Sequence, residues 1–253
     1  MEKIYMIPVN DAYTDACGCP LCDLKEKAER NYLEYYLGPS LMEPDTRKIT
    51  NKTGFCPDHM GKLNRSVTNR LGLGLMMHTH LKDFHADISS DLKNLVPTGS
   101  GLMKSFNTEY KGRLNAAADR IDSRVAACPI CDKMNDAMKH YVEVIAWMFI
   151  HDNDFRTRFS AVPFHCLPHL SMLLRQAATL NQNDAREFVS VLAEKNYNDF
   201  ESLIDDVEFF TLKFDYRNQD KPWGNSKNSI QRAMRFLSSD RRDFDEQQSK
   251  KQS

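Results

Sequence analysis

Apolar positions along this chain recur at steps of three and four. Leu81, Phe84, Ile88, Leu92 and Leu95 make one such stripe, and Phe106, Tyr110, Leu114, Ala117, Ile121 and Val125 make a second that runs into Cys128. Met134, Met138, Tyr141, Ile145 and Met148 make a third, just after Cys131. Positions spaced this way fall on one face of a helix, so the stripes predict amphipathic helices. No run shows sustained alternation, and β-branched residues are sparse. The pattern predicts an all-α protein.

The stripes are punctuated. VPTGSG at 96–101 places a proline and two glycines together and reads as an internal boundary. RNQDKPWGNS at 217–226 reads as an irregular loop before a last short helix, SIQRAMRFLSS, and the closing DRRDFDEQQSKKQS reads as a polar tail. These breaks divide the chain into residues 1–98, 99–238 and 239–253.

Within that helical frame one pattern occurs twice. CPLC at 19–22 is followed by FCPDH at 55–59, and CPIC at 128–131 is followed by FHCLPH at 164–169. Cys19 and Cys22 align with Cys128 and Cys131, and Cys56 and His59 align with Cys166 and His169 at an offset one residue longer. Between the pairs, Asp45 of EPDTRKI falls over Asp154 and Arg47 over Arg156, at the same offset as the C-x2-C pairs; HMGKL then aligns with HLSML. Self-similarity over so long a period indicates a tandem repeat of helix–loop–helix units.

Each copy offers C-x2-C, a gap of roughly thirty residues, then C-x2-H; three thiolates and an imidazole complete a tetrahedral shell of the structural zinc type. The expectation is one ligand set per repeat: Cys19, Cys22, Cys56 and His59 in the first, Cys128, Cys131, Cys166 and His169 in the second. Pro20 and Pro129 suit the first position of a helix. Residues three apart at a helix start share a face, and the positive helix end favours thiolate there. Two zinc ions per chain are expected. The alternative is an iron–sulfur cluster, which three cysteines and a histidine also hold. A thioredoxin-type reading of CPxC needs a strand before the motif, and the pattern contains none.

Other candidates carry less. Cys17 has no counterpart in the second copy, although it could be an alternative ligand for the first site. His165 abuts Cys166 where the first copy has Phe55, and reads as a bystander. His78, His80 and His85 read as a solvated helix face rather than a metal cluster, as do the carboxylates Asp205, Asp206 and Glu208. LGLGL at 71–75 lacks the strand-to-helix setting of a dinucleotide loop, and no Ser/His/Asp arrangement or HExxH occurs.

Composition adds limits. The 253 residues carry 34 Lys+Arg against 35 Asp+Glu, which gives no support for a large basic face toward nucleic acid or anionic lipid. The opening MEKIYMIPVNDAYTD is too interrupted for a signal peptide. The most apolar window, VEVIAWMFI at 142–150, is far short of a membrane span. A cytoplasmic setting follows as the expectation, and there the seven cysteines need a reason other than disulfides.

The CPLC, GFCPDH, CPIC and FHCLPH motifs, with FDYRNQDKPWG at 214–224, make the chain resemble an uncharacterised family of bacterial proteins of about this length. Its members share paired CPxC and FCxxH motifs and a later DYRN…PWG segment. Some members are labelled substrate-binding proteins of ABC transporters. That label implies export and a two-lobed α/β fold, and the helical pattern carries neither. The resemblance implies an architecture and no activity.

Closed ligand sets point to a structural role, because a catalytic zinc keeps a position open for water. The leading expectation is a zinc-stapled helical protein that acts as an interaction partner or scaffold. One alternative is a small-molecule binder or enzyme using a groove between the repeats, with Tyr141, Trp147, Arg156, Tyr216, Arg217 and Trp223 as wall candidates. Another is a thiol or metal sensor.

Overall fold

The computed structural model describes residues 3–14, 16, 18–96 and 108–239. Cys17, Phe106, most of VPTGSG and the tail from residue 240 lie outside them. Among the described residues there is no strand, so the all-α expectation is met. The helices are α1 (Met6–Thr14), α2 (Pro20–Leu37), α3 (Pro44–Thr53), α4 (Pro57–Arg65), α5 (Arg70–Leu95), α6 (Thr108–Ala126), α7 (Pro129–His151), α8 (Asn153–Ala161), α9 (Leu167–Ala177), α10 (Gln182–Leu212) and α11 (Ser229–Ser238). The starts of α2, α3 and α4 correspond in order to those of α7, α8 and α9, following the alignment of the two motif copies.

The chain forms two compact units, residues 28–136 and residues 1–27 with 137–253. These bounds differ from the expected segments 1–98 and 99–238. The divisions fall inside α2 and α7, so each unit draws on both halves of the sequence.

The unit 28–136 has a core of Tyr36, Leu37, Leu41, Phe55, Leu63, Met76, Ile130 and Met134. Helix α3 lies on α5, where Arg47 donates to Thr79 Oγ1 at 2.9 Å and His80 Nδ1 bonds the Asn51 carbonyl at 2.7 Å. His80 is therefore a buried packing residue and not part of a solvated face, whereas His78 and His85 are exposed as expected. The buried face of α5 runs through Gly72, Met76 and His80, while Leu81 and Leu92 of the sequence stripe stay exposed. Along α6, Arg124 pairs with Asp83 and Asp87 and lies over the Phe84 ring, and Arg120 pairs with Asp91 at 2.7 Å. Gly54 ends α3 at φ 63°, and a Cβ there would sit 2.5 Å from His80 Nε2. Only glycine fits that turn.

The other unit is built on aromatic packing. Phe149, Phe155, Phe159 and Phe188 are fully buried, with ring centroids of Phe149, Phe159 and Phe188 between 5.1 and 5.3 Å apart. The α7 stripe Met138, Tyr141, Ile145 and Met148 is buried as expected. Asp152 caps α8 by accepting from the amides of Asp154 and Phe155. In the irregular loop after α10, buried Lys213 donates to the carbonyls of Asn218, Gln219 and Lys221 and faces the Trp223 ring. One ammonium thus organises the DYRN…PWG segment, and three acceptors saturate its donors.

Candidate metal centres

Proline builds each centre's helix starts. Pro20 and Pro129 open α2 and α7, and Pro57 opens α4 directly after Cys56. Cys56 and Cys166 are N-cap residues of α4 and α9 with nearly the same extended backbone, φ −66°, ψ 160° and φ −64°, ψ 154°. Each leaves its sulfur beside the first turn, where the histidine three residues on points the same way. Unsatisfied amides and the helix dipole at these ends favour negative sulfur.

All eight predicted ligands come together in two groups of four, but the partnering is crossed. Cys19 and Cys22 meet Cys166 and His169; Cys128 and Cys131 meet Cys56 and His59. The sequence reading paired each C-x2-C with the C-x2-H of its own copy, and the geometry overturns that pairing. Each group lies wholly within one compact unit, the first in 1–27 with 137–253 and the second in 28–136. The crossing and the mixed make-up of the units are the same fact seen at two scales.

In the first group, His169 Nδ1 lies 3.4 Å from the sulfurs of Cys19 and Cys22 and 3.1 Å from that of Cys166, and the Cys22 and Cys166 sulfurs are 3.6 Å apart. In the second, His59 Nδ1 lies 3.2 Å from Cys56 and 3.3 Å from both Cys128 and Cys131, with Cys56 and Cys131 sulfurs 3.7 Å apart. A tetrahedron with ordinary zinc–sulfur and zinc–nitrogen bonds has edges of about 3.8 Å for S···S and about 3.6 Å for S···N. The S···S separations, 3.6 and 3.7 Å, lie close to their edge, and the S···N separations, 3.1 to 3.4 Å, are shorter than theirs by about 0.2–0.5 Å. The donor set and its spacing fit a single tetrahedral ion.

The protons tell the same story. Burial opposes ionisation of Cys19, yet bonds from Cys166, Cys22 and His169 outweigh it and hold its thiol well below the usual range. Cys22 is then pushed up, by Cys166 and Cys19, and Cys166 is pushed up to about 12, chiefly by Cys19. In the second group burial again opposes, but His59 and the backbone bring Cys128 down to about 6, while burial and the Cys128 charge push Cys131 up to about 12. One thiolate in each group raises the cost of the next. A divalent cation among the three would relieve that repulsion.

The groups differ in surroundings. All four residues of the first are buried, whereas Cys56 and Cys131 of the second are half-buried. Burial opposes protonation of His59, but its bonds to Cys128 and Glu29 raise it to about 10; its Nε2 donates to Glu29 Oε1 at 3.1 Å, which would leave Nδ1 to give its lone pair to an ion among the sulfurs. Glu29 is held in turn by Lys62, which also pairs with Asp58 at 3.2 Å. Burial works against Glu29 ionising, but its bonds to His59 and Lys62 win and draw it down to about 2. Glu29, Asp58 and His59 approach one another closely enough to suggest a further metal group, but the Lys62 ammonium already supplies their cation.

His165 stays outside the ligand set, as expected. Its Nε2 sits 3.0 Å from the Tyr13 hydroxyl, its amide donates to Asn196 Oδ1, and burial drives it down to about 4. It is a neutral core histidine. Asp206 pairs with Arg232 rather than standing in solvent. Sequence reasoning missed Glu29, and no spacing signal links residue 29 to residue 59.

A family model matches residues 1–243. The chain belongs to DUF6062, a family of unknown function. The family assignment adds no activity. A relative from Caldicellulosiruptor sp. (strain Rt8B.4), the uncharacterized 23.9 kDa protein in xynA 3'region, is 25% identical over 200 residues, covering 79% of this chain and 84% of its own. No solved structure matches.

Proposed function

We propose that this DUF6062 protein binds two zinc ions, each a structural Cys3His staple, and that it works as a helical interaction or scaffold protein. The observation carrying this reading is the pair of complete four-donor groups, with ligand atoms within 4.8 Å of one another. Three sulfurs and a nitrogen at tetrahedral edge lengths favour zinc, and touching ligands leave room for one ion rather than a multi-iron cluster. Four protein donors fill the shell, so a substrate has no coordination position to enter, which favours a structural role over a catalytic one. Each ion would join two helix starts that are far apart in sequence, so its binding energy would be folding energy.

A reducing setting such as the cytoplasm suits six described cysteines with no disulfide among them. None of the described helices is long and apolar enough to cross a membrane. The near balance of charge favours a protein or small-molecule partner over nucleic acid. Elemental analysis after gentle purification tests the proposal. Two zinc ions per chain are expected; less than one metal per chain, or iron with inorganic sulfide, would overturn it.

A further inference from the structure

The two groups repeat one geometry in different surroundings. In each, a sulfur contact joins the N-cap cysteine of one helix to a first-turn cysteine of another. Cys166 of α9 meets Cys22 of α2 at 3.6 Å, and Cys56 of α4 meets Cys131 of α7 at 3.7 Å. Both pairs sit at helix N-termini, where free amides favour thiolate. Neither spacing nor helix position separates them. Exposure does. Cys22 and Cys166 are buried, whereas Cys56 and Cys131 are half-buried and Cys128 of the same group is buried. The two cysteines of the second group whose sulfurs touch are therefore also the two that solvent reaches.

Redox-responsive cysteines combine thiolate character, access and a neighbouring sulfur that resolves the first oxidation. We infer that the second group is a peroxide-sensitive site, at which Cys56 and Cys131 become a disulfide and the ion is given up, while the first group keeps its ion. This switch rests on the zinc reading above and adds regulation of one of the two staples.

The oxidant is hydrogen peroxide. One of the two sulfurs attacks a peroxide oxygen, the O–O bond breaks, hydroxide leaves, and the sulfur becomes a sulfenic acid. The other sulfur, 3.7 Å away, attacks that sulfur; the S–S bond forms, the S–O bond breaks and a second hydroxide leaves. Two electrons pass from the sulfurs to peroxide, and the hydroxides take up solvent protons to give water. Only Cys128 and His59 then remain as donors, too few for a structural shell. The disulfide joins the same helix starts as the ion, α4 and α7, between residues 75 positions apart, so a cross-link survives in a different chemistry.

Titration of the zinc-loaded full chain with hydrogen peroxide tests the switch, followed by zinc released to a chromogenic chelator and by peptide mapping of disulfides. A chain purified without zinc would contradict the zinc reading before any peroxide is added. Peroxide should release one of the two ions and form a Cys56–Cys131 disulfide, leaving free thiols at Cys19, Cys22 and Cys166. A dithiol with added zinc should restore the original metal content. Cys56→His keeps four donors in the second group but removes the sulfur pair, and should hold both ions at peroxide levels that empty the native group. Release of neither ion, or of both together, would overturn the inference. So would a disulfide within the first group or between Cys128 and Cys131, or undiminished release from a loaded Cys56→His chain. Mapping of the native chain decides where that variant does not load.

Discussion

His169 Nδ1 and Cys19 Sγ lie 3.4 Å apart although 150 residues separate them along the chain. Cys128 Sγ and His59 Nδ1 make the reciprocal contact at 3.3 Å. Each C-x2-C therefore meets the C-x2-H of the other copy, and a metal ion at either group would close a long loop of chain. Closing such loops restricts the unfolded chain strongly, which makes the groups effective staples.

Chelation should remove the two ions in order. Cys56 and Cys131 are half-buried, while all four residues of the first group are buried. Exposed sulfurs are the more accessible to a competing ligand. Under a graded chelator challenge, followed by metal release and by hydrogen exchange, the second group should empty first and amide protection should fall across 28–136 before it falls in 137–239. Simultaneous loss from both groups would contradict this.

Cys128→Ser should act on the unit 28–136, even though residue 128 belongs to the second sequence copy. It should remove one ion per chain and destabilise that unit by more than about 4 kcal/mol, as loss of a structural metal does. Hydrogen exchange should show new opening around α4, where Cys56 and His59 lie. Opening confined to α9 would favour pairing within each copy.

Glu29→Gln should weaken metal binding at the second group alone. The carboxylate holds the His59 ring and its Nε2 proton, and removal of such a partner commonly costs about 10–100-fold in affinity. Competition with a chromogenic chelator should resolve one weakened site and one unchanged. Two unchanged sites would show that Lys62 and the packing around His59 suffice.

Gly54→Ala combines a left-handed backbone with a clash on the His80 ring, whereas Gly224→Ala has φ 52° and open space. The first should cost roughly 3 kcal/mol and the second about 1 kcal/mol, a difference readable as midpoints in denaturant. Equal midpoints would mean that His80 moves aside freely.

The eight ligands and the helix starts that carry them were legible because the chemistry needs Cys and His at fixed spacing and proline marks a helix's first turn. Their partnering was not legible. The two C-x2-H motifs are chemically equivalent, so nothing local to CPLC chooses between Cys56 and Cys166; that choice belongs to packing between distant helices. His80, Glu29 and Lys213 escaped for a related reason. Each is polar at a position that periodicity treats as surface, and each is buried or half-buried by a partner outside its own helix. The α5 stripe misled because Gly72 and Met76, not Leu81 and Leu92, face the core.

Metal content of two quadruple variants tests the crossed staples most directly. Replacing Cys56, His59, Cys128 and Cys131 together by alanine should leave one zinc per chain, because one whole group is lost and the other is untouched. Replacing Cys19, Cys22, Cys56 and His59 by alanine should leave none, because each group loses half its ligands. The opposite result, none in the first variant and one in the second, would contradict the crossed arrangement.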